Sequence, residues 1–170
     1  MTSAHEVIMP SVTVTGTRSS VPFSDLQTFF AQAFSAAQDA LRSHGLVATG
    51  APIAVYFAAT PDAVDVLAGF PVDPAASADE PLHPVTLPAG RAVTAVHHGS
   101  YDDLGDTYSE LHAWMSTHGL GEPGIMTEQY LVGPGSSRPP SEWQTVVVYY
   151  LPEERVEPGL PVAAQAAGRP

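Results

Sequence analysis

Between Glu6 and Leu151 the hydrophobic pattern passes twice through one order of elements, strand–helix–strand–strand. A repeat of this length marks a supersecondary unit that buries its apolar face only against a neighbour. The first unit opens with E-V-I-M-P-S-V-T-V-T-G-T-R, β-rich and alternating, which predicts a strand over about 11–18. V-P-F-S-D-L-Q then starts a helix over about 24–44, with Ser24 as N-cap and Gln27 completing a capping-box pattern. Leu26, Phe29, Phe30, Ala33, Phe34, Ala37 and Leu41 keep helical spacing, and Gly45 is placed to end the helix. A-P-I-A-V-Y-F and V-D-V-L-A-G-F-P-V supply two strands around a turn at Thr60-Pro61-Asp62. The Pro-rich stretch 73–84 reads as a connecting loop.

The second unit repeats the order. R-A-V-T-A-V-H-H-G is a strand, and a helix follows from Tyr101 to Gly119. Its buried stripe runs near Leu104, Tyr108, Leu111, Ala113 or Trp114, and Met115. I-M-T-E-Q-Y-L-V and S-E-W-Q-T-V-V-V-Y-Y-L are the closing strands. Aligning G-L-V-A-T-G-A-P-I-A-V-Y-F with G-L-G-E-P-G-I-M-T-E-Q-Y-L pairs Tyr56 with Tyr130 and Ala54 with Glu128. Two βαββ units make an α+β domain with pseudo-twofold symmetry: an antiparallel sheet, helices packed on one face, and a ligand cleft between the halves. The expected organisation is a single domain over 6–152, with repeat one at about 6–73 and repeat two at about 88–152. The small, Pro-rich, aperiodic residues 153–170 read as a flexible tail.

Composition narrows the function classes. At 170 residues and 44% hydrophobic, the chain has the size and apolar content of one packed domain. It has no run of ~18 apolar residues, so no membrane association is expected. Its start has no basic region followed by an apolar core, so the cytoplasm is the expected compartment. The absence of cysteine excludes disulfides, thiolate metal sites and cysteine nucleophiles. Six basic residues, all arginine, face 18 acidic ones, for a net charge of -12. Such a chain repels phosphate backbones, so direct nucleic-acid binding is not expected. The same field either favours cationic ligands or only keeps the protein soluble.

The sharpest chemical feature is Glu128. It shares a strand face with Met126, Tyr130 and Val132. If that face is buried, the acid needs a partner, a raised pKa or a ligand cation. The alternatives are pairing with an arginine or with tyrosine hydroxyls, or an exposed face. Tyr56, Trp114, Tyr130, Trp143, Tyr149 and Tyr150 fall at the centres or ends of elements. Aromatic rings around a carboxylate would hold a lipophilic cation, though each ring taken alone is also ordinary core packing. The adjacent His97 and His98 face opposite ways on a strand, free to orient a carboxylate or cap the next turn. His112 and His118 are six apart, which is not metal-ligand spacing, and no metal or cofactor is expected. Ser100 lacks the second glycine of a nucleophile elbow and reads as a turn residue.

These segments, in this order, resemble the GyrI-like small-molecule-binding domains. Those include effector-binding domains of multidrug-responsive regulators and stand-alone bacterial proteins. The resemblance is carried by A-P-I-A-V-Y-F, V-D-V-L-A-G-F-P-V, L-P-A-G-R-A-V-T-A-V-H-H-G-S-Y, Y-S-E-L-H-A-W-M, T-E-Q-Y-L-V-G-P and W-Q-T-V-V-V-Y-Y-L. It implies a pocket between duplicated halves that binds bulky hydrophobic cations, with Glu128 as the acid at its floor. The family's further acids are replaced here by Leu67 and Val146, and an aromatic position by Thr127. The resemblance therefore implies a more apolar pocket for a neutral or singly charged aromatic ligand. The candidate ligand-binding set is Glu128, Tyr130, Tyr56, Trp114, Tyr149, Phe30 and Trp143.

The first strand begins too near Met1 for a helix-turn-helix to precede it, so a stand-alone module that sequesters or senses a drug-like compound is expected rather than a regulator. An enzyme is the less favoured alternative: a hydrolase of strained electrophiles, with Glu128 as acid or base and Tyr130 or Tyr149 assisting. A third reading is an acidic surface for a protein partner, as in relatives described as gyrase inhibitors. A homodimer is left open.

Overall fold

The computed structural model describes residues 3–76 and 82–153. Part of the loop read at 73–84, and the tail beyond Glu153, lie outside the described residues. Eight strands and two helices are described: β1 (His5–Met9), β2 (Val12–Pro22), α1 (Leu26–Ser43), β3 (Ile53–Ala59), β4 (Ala63–Val72), β5 (His83–Leu87), β6 (Gly90–His98), α2 (Leu104–Thr117), β7 (Met126–Val132) and β8 (Gln144–Tyr150). The strands form one antiparallel sheet in the order β1-β6-β8-β7-β3-β4-β2-β5. Exchanging the halves (β1 for β5, β2 for β6, β3 for β7, β4 for β8) reverses this order and leaves it unchanged. The pseudo-twofold axis therefore passes between β3 and β7.

Two strands depart from the sequence expectation. β5 lies at the end of the stretch read as a loop, and β1 is separate from β2. Both are five-residue pieces next to prolines, Pro10 after β1 and Pro84 and Pro88 in and after β5, so their alternation is too short to read. Each crosses to the other half: β1 pairs with β6 and β5 with β2. The repeat boundaries expected at 73 and 88 are thus blurred, because each half supplies the other's edge strand.

Both helices end on the same tripeptide, His44-Gly45-Leu46 and His118-Gly119-Leu120. Gly45 and Gly119 take φ of 65° and 66°, a left-handed conformation that glycine adopts at no steric cost. The Leu46 N–H donates to the Leu41 carbonyl and the Leu120 N–H to the Met115 carbonyl, which closes a Schellman motif at each end. The start of α1 differs from expectation. A 3-10 turn over Phe23–Asp25 moves the N-cap to Asp25, and no side chain caps the helix. The Ser24 hydroxyl bonds to Asp25 Oδ1 instead, so the capping box does not form.

Both helices pack on one sheet face. Ala37 and Leu41 of α1 meet Phe70 and Val72, while Leu111 and Met115 of α2 meet Val93, Ala95 and Val147. On α2 it is Trp114 rather than Ala113 that turns inward. The other face curls so far that Leu87 near one edge and Ala92 near the other share a cluster with Val14, Val55 and Leu67. The curl needs close backbone approach at one pair, Gly16 opposite Gly69. A Cβ on Gly16 would lie 2.2 Å from the Ala68 carbonyl oxygen, and one on Gly69 2.0 Å from that of Thr15. Gly16→Ala is therefore expected to destabilise the fold by at least the upper end of the about 1–3 kcal/mol that overpacking costs. Chemical denaturation checks this, and a loss under about 0.5 kcal/mol, the range of an ordinary surface change, would contradict it.

Candidate functional site

Glu128 sits on the symmetry axis. In the β3–β7 register it lies directly opposite Ala54, and Ala54 is also its counterpart in the repeat. The axis therefore runs between these two residues. Alanine on one side leaves room for one carboxylate and avoids two like charges facing each other across the strands. Val147 lies opposite on the other flank, in β8, and sets the acid on the helix-bearing face. Glu128 is 6% exposed, so it is buried and requires partners.

Those partners are tyrosines. Tyr108 of α2 donates to Oε1. Tyr130 donates to Oε2 at 2.5 Å and Tyr56 to the same oxygen at 3.3 Å. Of the alternatives left open by the sequence, pairing with tyrosine hydroxyls is the one found. The four arginines among the described residues each pair with another acid: Arg18 with Asp65, Arg42 with Asp39, Arg91 with Glu6 and Arg138 with Glu142. The ladder shifts register between Tyr56 and Ala58 and, equivalently, between Tyr130 and Val132. Bulges of this kind re-aim side chains, and here they fall just after the two symmetry-related phenols.

A cavity of about 370 Å3 opens beside the acid. Phe23, Leu26, Tyr56, Phe57 and Val64 line it from the first half, and Tyr108, Met126 and Glu128 from the second. It is thus largely apolar, with one acid and two phenols at its polar end, and lies within the size range of small-molecule sites.

The sequence-derived candidates separate into three groups. Glu128 and Tyr56 line the cavity, and Tyr130 is bound to Glu128 behind them. Tyr149 stacks on Tyr108 at 6.1 Å, with its hydroxyl 3.1 Å from His112 Nε2, and Phe30 meets Tyr56 edge-on at 6.3 Å. These two support cavity residues from behind. Trp114 and Trp143 do not line the cavity: Trp114 stacks on His118 at 3.7 Å, and Trp143 lies 5.1 Å from Tyr101 with its indole N–H on the Arg138 carbonyl. Sequence reasoning missed Tyr108, Phe23, Leu26 and Met126 as site residues. Tyr108 was legible as part of a buried stripe, but the strand it meets depends on how the helix crosses the sheet.

Leu67 and Val146 belong to the helix-free face, in or against the cluster that holds Val55 and Val148. They do not line the Glu128 cavity, so the more apolar character attributed to their replacement concerns the opposite side of the sheet. Thr127 also faces that side, where it lines a smaller cavity of about 250 Å3 with Ile53, Leu87 and Tyr150. His97 is buried with Nδ1 2.8 Å from Thr107 Oγ1 and Nε2 2.8 Å from the Ser100 carbonyl, so it ties the following turn to α2 and does not touch Glu128. Among the described residues no group of three or more His, Cys, Asp or Glu could hold a metal ion, and no helix is long and apolar enough to cross a membrane.

The electrostatics of the site act on the phenols. Burial first, and then the Glu128 charge, push the hydroxyls of Tyr56, Tyr108 and Tyr130 above the ordinary tyrosine range. Tyr101 and Tyr149 rise for the same two reasons, and Tyr150 by burial. Every tyrosine in the chain is therefore favoured in its neutral form, and Tyr56, Tyr108 and Tyr130 use it to donate to Glu128. A folded pKa above the unfolded one gives stability that is complete below about 10 and is lost as pH rises beyond it. Absorbance titration of the phenols is expected to show no reversible ionisation near pH 10, followed by a cooperative rise that coincides with loss of circular dichroism. Three or more tyrosines titrating reversibly near pH 10 with the fold intact would contradict this.

Comparison with known proteins agrees with this fold. The fold matches the EcmrR C-terminal domain with a TM-score of 0.76 and 22% identity, over 89% of this chain and 98% of that one. It matches EcmrR in a DNA complex with a TM-score of 0.74 and 23% identity, over 87% of this chain but only 56% of that chain. SAV2435 bound to tetraphenylphosphonium matches with a TM-score of 0.64 and 12% identity, over 89% of this chain and 94% of that one. At these identities the likeness is one of fold. Among curated proteins, none matches the chain by sequence. The sequence pattern of the GyrI-like small molecule binding domain matches residues 5–152, and the chain belongs to that family.

Proposed function

We propose that this chain binds a hydrophobic aromatic compound of single positive charge in the cavity beside Glu128, and so sequesters or senses a drug-like molecule. The observation that carries the reading is a buried acid whose three partners are phenols, set at the polar end of an apolar cavity. Phenols donate hydrogen bonds but bring no positive charge, so an ionised Glu128 has no countercharge among them. A ligand cation would supply it, with Tyr56, Tyr108 and Phe23 adding ring faces and apolar area. The neighbour SAV2435, bound to a lipophilic phosphonium, supports the same chemistry on a shared fold. The donors hold the carboxylate in one orientation before the ligand arrives, which lowers the ordering cost of binding. The cytoplasm is the compartment in which such a module would meet an entering toxic cation.

Thermal unfolding with the flat aromatic monocation berberine tests this directly. At roughly 100 times its dissociation constant, bound ligand adds about 2.7 kcal/mol, or about 5–10 °C for a chain of this size. That shift is expected to vanish in Glu128→Gln, which keeps the shape and removes the charge. An equal shift in both proteins would contradict the role of the acid. Consumption of a ring-strained electrophile, lost in the same variant, would favour the hydrolase reading instead.

A further inference from the structure

The pseudo-twofold axis supplies an internal comparison of the two sides of Glu128. Phe23 and Tyr101 open equivalent 3-10 turns ahead of α1 and α2. Tyr56 and Tyr130 are equivalent on β3 and β7, and both donate to Glu128. In the first half Phe23 and Tyr56 line the open cavity, with no ring contact between them among the described residues. In the second half the matching space is filled. Tyr101 lies against Tyr130, with centroids 5.6 Å apart and planes at 64°, and it also lies 5.1 Å from Trp143.

A second observation points the same way. Ala59 lines the cavity in the first half, and its counterpart beyond the bulge is Gly133. A Cβ on Gly133 would come within 2.7 Å of Tyr101 Oη. The side chain missing from Gly133 is the room that the Tyr101 hydroxyl occupies. Tyr101 nevertheless stays 37% exposed, so no surrounding core locks it in place. Its hydroxyl is also raised by burial and then by the Glu128 charge, which puts it within the field of that acid.

We propose that Tyr101, backed by Trp143, plugs a second half-site related to the open cavity by the pseudo-twofold axis. Glu128 on the axis serves both halves, but only one is open. The native protein therefore favours cations with one flat aromatic arm over cations whose rings spread to both sides of the acid. Tyr101 is a specificity residue, and its displacement admits a second arm. This rests on the reading of Glu128 as the cation site.

The test measures dissociation constants for berberine and for the four-ringed tetraphenylphosphonium by calorimetry. Tyr101→Ala removes the plug, while Gly133→Ala keeps the ring and pushes it out. Both are expected to improve tetraphenylphosphonium relative to berberine by about tenfold, equivalent to roughly 1.4 kcal/mol, with berberine itself changed less than about twofold. Phe23→Ala, on the open side, is expected to weaken berberine. Cooperative thermal unfolding verifies that each variant is folded. If either folded variant leaves the ratio within about twofold of native, the plug is refuted. If native protein binds no berberine, the site reading fails first and the plug falls with it.

Discussion

The structure turns on one buried carboxylate placed on the symmetry axis of a duplicated sheet. An acid there cannot be left unpartnered, because its desolvation cost exceeds what a single neutral hydrogen bond returns. Three tyrosines meet it, drawn from β3, β7 and α2, so both halves and one helix converge on a single side chain. The bulges after Tyr56 and Tyr130, and the crossing of α2 over the sheet, gain their meaning from that convergence. The phenols give the acid hydrogen bonds but no countercharge, and the cavity beside it is where the proposed ligand cation would sit.

Duplication supplies the frame, and differences between the copies supply the chemistry. Ala54 stands where Glu128 has its counterpart, so the axis carries one charge and not a repelling pair. Counted back from the shared His-Gly-Leu helix ends, Phe34 matches Tyr108. Phe34 meets Tyr130 edge-on at 5.8 Å, whereas Tyr108 brings a hydroxyl to Glu128. Phe23 and Tyr101 differ in the same sense, one beside open space and the other filling it. At each of these paired positions, the first half carries a hydrocarbon side chain and the second a polar group, so a symmetric fold yields a one-sided site.

Much of this was legible in the sequence, because the relevant signals are local. Periodicity located α1, α2 and the inner strands, Gly45 and Gly119 fixed the helix ends, and face alternation singled out Glu128 beside Tyr130. What was illegible depends on register and crossing geometry. β1 and β5 are too short, and too close to prolines, to show alternation, and their exchange between halves is a tertiary choice. Trp114 and Trp143 looked like pocket rings because aromatics suit both cores and ligands, and only packing separated the roles. The resemblance ties Leu67 and Val146 to the pocket, while strand pairing puts them on the opposite face. Ser24 carried the right residue type for a cap, but the 3-10 turn before α1 displaced it.

A crystal structure with 4-iodobenzyltrimethylammonium, whose iodine marks the ring by anomalous scattering, tests the role of Glu128 in recognising a cation. One strong iodine peak is expected in the cavity lined by Phe23, Leu26 and Met126, with the ammonium group turned toward Glu128 and its phenols. A peak confined to the groove on the helix-free face, between Leu87 and Tyr150, would contradict it. So would a ring in the expected cavity with the ammonium pointing away from Glu128 into solvent, because the buried acid would then have no part in recognising the cation.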